Sequence, residues 1–350
     1  MYKFLVRPIL FQIDPEKVHH LIVKSLKLAF KIPGIPFLLK SAYKKENELL
    51  RTTVAGLVFK NPVGLAPGFD KNAEFFDEFS SFGFGHIEIG TVTPKPQPGN
   101  DKPRIFRLPK DNAIINRMGF NNKGVRNIAK NLENRRNDLI IGGNIGKNTK
   151  TSNEEAVNDY VYTCKVLYND VDYFVINVSC PNISNLSKLQ DQDSLDEILK
   201  KVVAVRKDND IYKPIFLKIS PDLNYKQVDA TLELVKKHQI DGIVLTNTTI
   251  QRNKLITEKN KIENIGNGGL SGLPIRDRST EMIKYVHEKT NGELAIIGVG
   301  GIMTAEDAME KINAGASLVQ VYTGFIYEGP GIVKKINKKI LQKRKEELEM

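Results

Sequence analysis

The sequence predicts an α/β protein: a (β/α)8 TIM barrel with a small N-terminal helical appendage. After residue 57, eight short runs rich in Ile and Val alternate with longer polar segments of helical periodicity. Continuous apolar runs are typical of parallel strands buried on both faces, and eight of them with helical crossovers indicate a closed barrel. The chain of 350 residues is long enough for one barrel and an appendage.

The predicted appendage spans residues 1–45, and the predicted barrel spans 46–350. An amphipathic helix is expected over 14–31, with Asp14 as its N-cap and Pro15 at its first position. Its apolar positions have helical spacing, and lysines recur every seven residues on another face. Two interpretations stay open: a helical hairpin packed on the barrel, or a monotopic anchor with its apolar face in lipid and its lysines on anionic headgroups.

The predicted barrel strands are residues 61–66, 85–91, 139–145, 173–179, 214–219, 242–246, 294–299 and 317–322. Helical patterns lie between them, for example over 154–168, 192–207, 225–238, 277–288 and 304–313. A polar or glycine residue follows each strand, and these ends converge on the barrel face that carries the active site in this fold. Turn formation explains one such end well, but it explains eight in succession poorly.

Composition narrows the classes of function. Lysine and arginine total 52 against 41 acidic residues, a formal charge of +11, and 41% apolar with 27% charged residues is typical of a soluble globular protein. Two cysteines exclude a disulfide framework and a cysteine-rich zinc site, and no metal site is predicted. No run approaches the roughly 20 apolar residues of a membrane span, and no cleaved secretory signal is expected. The basic excess leaves nucleic acid, an anionic membrane surface or small anionic ligands as partners.

The two glycine-containing stretches after the last two strands predict a phosphate site. They read GVGGI over 298–302 and VYTG over 321–324. Glycine lets backbone N–H groups approach a phosphate, and this is the usual phosphate site of the fold. The G-x-G-x-x-G spacing that starts at Gly298 fails at Met303, and no Walker A sequence occurs. Dinucleotide and nucleoside-triphosphate binding therefore lose their strongest support.

Lysines and asparagines at the strand ends indicate a flat, amide-rich ligand. Lys71 and Lys218 each follow or end a strand, and a cation beside a flavin pyrimidine ring would stabilise the negative charge that develops on reduction. Uncharged donor and acceptor pairs come from Asn116, Asn144, Asn177, Asn182 and Asn247. Such a set suits a pyrimidine or a flavin ring, although each asparagine taken singly also has a structural explanation.

Cys180 is the candidate catalytic base. It follows a strand, precedes Pro181 and has polar neighbours, and a thiolate there could remove a proton from carbon. The alternative is that Cys180 is a small buried hydrophobe, the usual fate of a free cysteine. Cys164 lies in a helical segment and is expected in the core.

Ten ordered motifs resemble one family, the dihydroorotate dehydrogenases, and within it the membrane-associated, quinone-dependent class 2. They read KNPVGLAPGFDKN, GFGHIEIGTVTPKPQPGNDKPRIFRL, INRMGFNNKG, NIGKN, INVSCPN, KISPDL, LTNTT, GGLSG, IIGVGGI and VYTGF. The resemblance covers nearly the whole chain. It implies oxidation of dihydroorotate to orotate in pyrimidine biosynthesis: a base takes the C5 proton while hydride passes from C6 to flavin N5. The reduced flavin then passes its electrons to a quinone that arrives through the N-terminal helices.

The resemblance also implies which residues bind each ligand. The positions that match the site of a noncovalent FMN are Pro67, Gly68, Phe69, Asp70, Lys71, Thr91, Asn144, Asn177, Lys218, Thr246, Gly272, Gly301, Tyr322 and Thr323. The positions that match the orotate site are Lys71, Asn116, Arg117, Met118, Gly119, Phe120, Asn177, Asn182, Asn247 and Thr248. The quinone path is matched by His19, Arg107 and Tyr322. The cytosolic class 1 enzymes lack the appendage, so its presence favours the anchor and a peripheral place on the cytoplasmic face of the cell membrane.

One departure from class 2 bears on the electron acceptor. Class 2 typically has serine at the base position, whereas Cys180 is typical of class 1, and Ile183 replaces a threonine of the class 2 proton relay. A dehydrogenase that uses fumarate or another soluble acceptor is therefore the alternative enzyme. A non-catalytic basic protein that binds membrane or nucleic acid is the alternative from another class. Aromatic residues interleaved with basic ones are not evident, so no nucleic-acid partner is expected.

Overall fold

The computed structural model describes residues 2–133, 135, 138–179, 192–253 and 255–349. The strands are β1 (Thr52–Val54), β2 (Leu57–Phe59), β3 (Val63–Leu65), β4 (His86–Val92), β5 (Ile105–Leu108), β6 (Ala113–Asn116), β7 (Ile140–Ile145), β8 (Tyr173–Asn177), β9 (Ile215–Ile219), β10 (Gly242–Leu245), β11 (Gly269–Gly272), β12 (Ala295–Val299) and β13 (Leu318–Val321). The α-helices are α1 (Arg7–Leu10), α2 (Pro15–Ala29), α3 (Ile35–Tyr43), α4 (Phe76–Ser80), α5 (Val125–Leu132), α6 (Ala156–Leu167), α7 (Gln192–Lys207), α8 (Tyr225–Lys237), α9 (Lys259–Ile265), α10 (Arg276–Lys289), α11 (Ala305–Asn313), α12 (Thr323–Glu328) and α13 (Gly331–Glu349).

Eight parallel strands close the barrel in the order β3-β4-β7-β8-β9-β10-β12-β13, and β13 pairs back with β3. Each of the eight predicted runs contains one of these strands or overlaps it almost completely. Their side chains are nearly all buried, because one face of each strand lines the bore and the other is covered by helices. The predicted fold class is confirmed.

The helices between the strands begin where their sequences provide caps. Asn224 starts α8 with a capping box, in which its side chain accepts from the Gln227 N–H at 3.0 Å and the Gln227 side chain accepts from the Asn224 N–H at 2.9 Å. Thr304 and Asp307 form the same arrangement at α11. The five predicted helical segments correspond to α6, α7, α8, α10 and α11.

Two small sheets outside the barrel were not predicted. The hairpin β1–β2 covers the amino-terminal end of the bore, where the Phe59 ring lies 5.3 Å from His86 and 6.5 Å from Tyr173, the first residues of β4 and β8. The antiparallel sheet β11-β6-β5 lies at the carboxyl end of the barrel, and Asn116 at the end of β6 reaches the strand-end cavity there. The hairpin therefore closes the amino-terminal end of the barrel, and the three-stranded sheet partly covers its carboxyl end.

The N-terminal segment packs on the carboxyl end of the barrel. Asp14 caps α2 as predicted, since its carboxylate accepts from the N–H groups of Glu16 at 3.0 Å and Lys17 at 2.9 Å. Farther along, Glu16 forms a buried two-point ion pair with Arg104, at 2.7 and 3.1 Å. In the described part of the chain, no helix is long and apolar enough to cross a bilayer.

Candidate active site at the carboxyl ends of the strands

A cavity opens at the carboxyl ends of the barrel strands. Its walls come from the residues that follow β3, β10, β12 and β13, from residues within β4, β8 and β9, and from the sheet of β6 and β11. The sequence-predicted residues that line it are Pro67, Gly68, Lys71, Thr91, Asn116, Met118, Gly119, Phe120, Asn177, Lys218, Thr246, Asn247, Thr248, Gly272, Gly301, Tyr322 and Thr323. The fold therefore brings together residues that are spread over more than 250 positions of the chain.

A chain of side-chain amides, two of them buried and one half-buried, runs along one wall. Asn177 Nδ2 donates to Asn144 Oδ1 at 3.2 Å and to Thr91 Oγ1 at 3.1 Å. Asn247 Nδ2 donates in turn to Asn177 Oδ1 at 3.1 Å and to Ser179 Oγ at 3.0 Å. These contacts fix the amide planes, so the wall offers preorganised donors and acceptors to a flat ligand.

Two lysines add positive charge to the same cavity. Lys218 lies within β9 and is 5% exposed. Lys71 is half-buried and donates to the Gly68 carbonyl at 3.0 Å. Burial lowers the pKa of Lys71 to about 8, with Glu16 opposing the shift and Arg104 adding to it. Both cations favour an anionic ligand or a ring that becomes negatively charged on reduction.

Glycines at the opposite end form a cradle in which no side chain fits. A Cβ on Gly301 would lie 2.4 Å from Arg276 Cα, and one on Gly272 would lie 2.3 Å from the Asn112 carbonyl oxygen. Gly300 and Gly301 also have φ values of +119° and +72°, which favour glycine. Gly272 ends β11 and Gly300 and Gly301 follow β12, so only backbone is present at these points of the cavity wall. This fold usually binds phosphate at the loops after its last two barrel strands.

Several sequence-predicted residues lie outside this cavity. Asn144 lies beneath the wall, where its amide hydrogen-bonds Thr91 and Glu88. Asp70 accepts from two backbone N–H groups at 2.7 and 2.8 Å, and burial raises its pKa to about 6. Arg117 points away from the cavity, donates to the carbonyls of residues 103, 265 and 267, and stacks on Phe106.

The catalytic-base candidate Cys180 and the orotate-site candidate Asn182 lie outside the described residues, as do Pro181 and Ile183. The last described residue before them is Ser179, whose hydroxyl donates to the Lys218 carbonyl at 3.0 Å. Cys164 is fully buried as expected, and burial raises its pKa to about 12.

A second cavity lies between α2 and the barrel. It is roomier than the first, about 460 Å³ against about 140 Å³, and aromatic side chains make much of its wall. His19, Phe69, Arg107 and Tyr322 all line it. Burial, with Lys71 and His20 adding to it, lowers the pKa of His19 to about 3, so its imidazole is neutral at physiological pH. Gly68, Lys71, Asn116, Met118 and Tyr322 line both cavities, so one thin wall separates them.

Sequence reasoning missed three polar residues at or beside the first cavity. Ser271 and Gln320 line it, and Glu88 supports it from below. Gln320 is the one polar residue of β13, and Glu88 lies between two isoleucines of β4, so a polar residue among apolar strand residues was the available signal. Within the described residues, no group of three His, Cys, Asp or Glu side chains is placed to hold a metal ion.

Comparison with known proteins decides the family. A family model described as dihydroorotate dehydrogenase matches residues 49–343. The chain belongs to the dihydroorotate dehydrogenase family. A relative from Christiangramia forsetii, named dihydroorotate dehydrogenase (quinone), is 54% identical over 344 residues, which cover 98% of this chain and 99% of that protein. A relative of the same name from Shewanella sp. strain ANA-3 is 44% identical, over 96% of this chain and 98% of its own.

Solved structures of the family have the same architecture. The ligand-free dihydroorotate dehydrogenase of Eimeria tenella superposes with a TM-score of 0.85 at 37% identity, over 94% of each chain. The same enzyme in complex with ferulenol superposes with a TM-score of 0.81 at 36% identity, over 94% of this chain and 91% of that one. The family resemblance inferred from the ten motifs is confirmed.

Proposed function

We propose that this chain oxidises (S)-dihydroorotate to orotate and transfers the electrons to a quinone, with one noncovalent FMN as its prosthetic group. The observation that carries the proposal is the family match over residues 49–343 together with a strand-end cavity of suitable chemistry. Relatives named as quinone enzymes favour a quinone over fumarate or another soluble acceptor, in spite of Cys180.

The residues of the first cavity fit FMN. The glycine cradle at Gly272 and Gly301 suits the phosphate, because both residues line the cavity and have no side chain that could cover their backbone. The wall with Lys71, Lys218 and Asn177 suits the ring, because it combines positive charge with oriented amides. When bound, FMN supplies a reversible two-electron acceptor.

The remaining roles belong to side chains of this chain. Lys71 and the amides of Asn116 and Asn247 bind the anionic substrate and hold its ring flat. Cys180, which directly follows Ser179, removes the C5 proton as its thiolate. Lys218 and Asn177 in the same wall are 5% and 4% exposed, so little water reaches them and their interactions with a charged ligand are stronger than in solution.

A quinone reaches the site through the second cavity. Its aromatic walls suit an apolar ring, and the neutral imidazole of His19 offers a hydrogen bond without burying a charge. Arg107 holds this entrance in shape, since its guanidinium donates to the carbonyls of Leu10, Phe11 and Ile13. Tyr322 lines both cavities and forms part of the wall between quinone and flavin.

The appendage, proposed to span residues 1–45, places the protein on the cytoplasmic face of the cell membrane. Among the described residues, nineteen large hydrophobic side chains are exposed, and eleven of them lie between residues 4 and 38. Such a concentration on short helices, beside lysines, suits a monotopic anchor on an anionic lipid surface.

Flavin bleaching tests the enzyme proposal. Purified protein should be yellow, should bleach when dihydroorotate is added without oxygen, and should regain its colour with a ubiquinone or menaquinone analogue but not with fumarate. Protein that stays colourless after reconstitution with FMN would refute it. If fumarate reoxidised the flavin as fast as the quinone analogue does, the proposed quinone acceptor would be wrong. The proposed oxidation of dihydroorotate would still stand.

Vesicle flotation tests the membrane proposal. Leu28→Glu together with Phe37→Glu changes two side chains that are 66% and 73% exposed, and should abolish flotation with anionic vesicles. Ile256→Glu is the matched control, because it is 72% exposed but lies outside the appendage. Equal flotation of all three proteins would contradict the anchor. Loss of flotation should leave bleaching by dihydroorotate unchanged.

A further inference from the structure

We propose that Glu88 is a positioning residue that sets the direction of the buried amide chain and hence the hydrogen-bonding face that the cavity presents to the flavin. This inference rests on the proposed function. It assigns a role to a carboxylate that does not line either cavity and that the proposed reaction leaves unused.

The buried position of Glu88 is energetically unfavourable for a carboxylate. It lies in the middle of β4, is 0% exposed, and forms no ion pair with a cation among the described residues. Its two carboxylate oxygens accept instead from neutral amides, Asn144 Nδ2 at 2.7 Å and Gln320 Nε2 at 2.7 Å. Burying a carboxylate without a cation is unfavourable, so stability of the barrel does not explain its presence.

The carboxylate determines which way the Asn144 amide points. A carboxylate only accepts hydrogen bonds, so Asn144 must turn its NH2 group toward Glu88 and its Oδ1 toward the cavity wall. Asn144 Oδ1 then accepts from Thr91 Oγ1 at 2.6 Å and from Asn177 Nδ2 at 3.2 Å. A neutral side chain that can both donate and accept would no longer impose this orientation from the Glu88 end of the chain.

The same direction continues through two more amides. Because Asn177 gives its NH2 to Asn144, its Oδ1 faces onward and accepts from Asn247 Nδ2 at 3.1 Å. Asn247 Oδ1 in turn accepts from the Thr248 backbone N–H at 2.8 Å. The chain of three amides therefore runs from a group that only accepts, Glu88, to a group that only donates, the backbone N–H of Thr248.

The two ends of this chain face different ligands. Thr91, next to the Glu88 end, is a proposed flavin contact, Asn177 in the middle is a proposed contact of both ligands, and Asn247 and Thr248 at the other end are proposed orotate contacts. The backbone N–H of Thr248 holds the Asn247 amide, and this contact does not depend on the residue at position 88. Loss of Glu88 should therefore disturb flavin binding and flavin potential more than orotate binding.

Two variants separate the effect of Glu88 on the orientation of the amides from the effect of its negative charge. Glu88→Ala leaves Asn144 and Gln320 without their acceptor. Glu88→Gln keeps the size and can still accept from Asn144, provided that the Gln320 amide turns over to meet the new NH2 group. The matched control is Asp241→Asn, a largely buried carboxylate at the amino-terminal end of β10 that accepts from the Ile215 N–H at 2.8 Å.

The experiment measures three quantities on each FMN-loaded protein: the FMN dissociation constant, the two-electron midpoint potential, and the orotate dissociation constant. Glu88→Ala should weaken FMN binding at least tenfold and change orotate binding less than threefold. Glu88→Gln should keep FMN within threefold of wild type and raise the potential by about 30 mV, a tenfold change in the two-electron equilibrium, because a negative charge near the ring is removed. Asp241→Asn should lower the melting temperature and leave all three quantities unchanged.

The outcomes distinguish this role from the proposed function. If FMN-loaded wild type bleaches with dihydroorotate but both Glu88 variants match it in FMN binding and potential, the role of Glu88 is refuted and the enzyme stands. If the Glu88 variants lost FMN binding and orotate binding equally, Glu88 would only stabilise the fold and the inference would be overturned. The same conclusion would follow if Asp241→Asn showed the same losses. Wild-type protein that holds no FMN overturns both proposals. If Glu88→Ala does not fold, Glu88→Met, which fills the space but accepts from neither amide, takes its place in the FMN and orotate measurements with the same expected outcomes.

Discussion

The ion pair between Glu16 and Arg104 should control how tightly α2 is held on the barrel. The side chains of Glu16 and Arg104 are 10% and 7% exposed, and two hydrogen bonds of 2.7 and 3.1 Å join them. Breaking a buried pair from one side typically costs about 3–5 kcal/mol. Arg104 keeps two further contacts, to the carbonyls of Pro98 and Asn100, so the lower end of that range applies to Glu16→Ala.

A loss of about 3 kcal/mol corresponds to an increase of roughly 150-fold in the population of the undocked helix. Hydrogen exchange of the α2 amides measures this directly, because their exchange proceeds through local opening. The exchange rates in α2 should rise by about that factor, while the amides of the barrel strands stay unchanged. Quinone reduction should slow, and bleaching by dihydroorotate should persist.

Asp138→Ala is the matched control for Glu16→Ala. Asp138 pairs with Lys60 at 2.5 Å, but the two side chains are 78% and 41% exposed. Water already solvates such a pair, so its loss should cost less than about 1 kcal/mol. A rise of less than threefold in α2 after Glu16→Ala, or an equal rise in the barrel strands, would refute the assignment of docking energy to this pair.

Three further outcomes are expected at the active site. Cys180→Ala should remain yellow yet lose bleaching by dihydroorotate, and retained bleaching in a stopped-flow trace would exclude the thiol as base. Gly301→Ala should lower the FMN content at least tenfold because its Cβ meets Arg276 Cα, whereas Gly56→Ala, with a similar φ of +80° and no neighbour within 4 Å, should not. Orotate binding should weaken as pH rises through about 8, since Lys71 is cationic below its lowered pKa and neutral above it. In Lys71→Met, orotate binding should no longer depend on pH near 8. If the dependence persisted, a group other than Lys71 would be responsible for it.

The barrel was predictable because its strands are apolar on both faces. A run such as β12, AIIGV, is short, apolar and bounded by polar or glycine residues, which is typical of a strand buried in a parallel sheet. The sheet β11-β6-β5 was not predictable, because β11 reads GLSG and pairs with residues more than 150 positions earlier. Nothing local in such a short, glycine-rich segment identifies that partner.

The site was predictable at strand ends and less so elsewhere. Asn116 and Arg117 are adjacent in one motif, yet successive side chains of an extended chain point in opposite directions, so only Asn116 lines the cavity. Glu88 escaped prediction because its partner Gln320 comes 232 residues later, and sequence spacing does not reveal contacts across a bore.

The contacts of the first residues set an order for folding during synthesis. The Tyr2 hydroxyl donates to the Ile326 carbonyl at 2.7 Å, Arg7 donates to the Tyr327 carbonyl at 3.2 Å, and Lys3 pairs with Glu328. These partners leave the ribosome more than 300 residues later, which takes roughly 15–65 s at 5–20 residues per second. Glu16 and the carbonyls of Leu10, Phe11 and Ile13 have their partners at Arg104 and Arg107, so α2 can dock about 100 residues after it is made. Residues 2–7 reach their final contacts only once the last barrel strand and the helix after it exist.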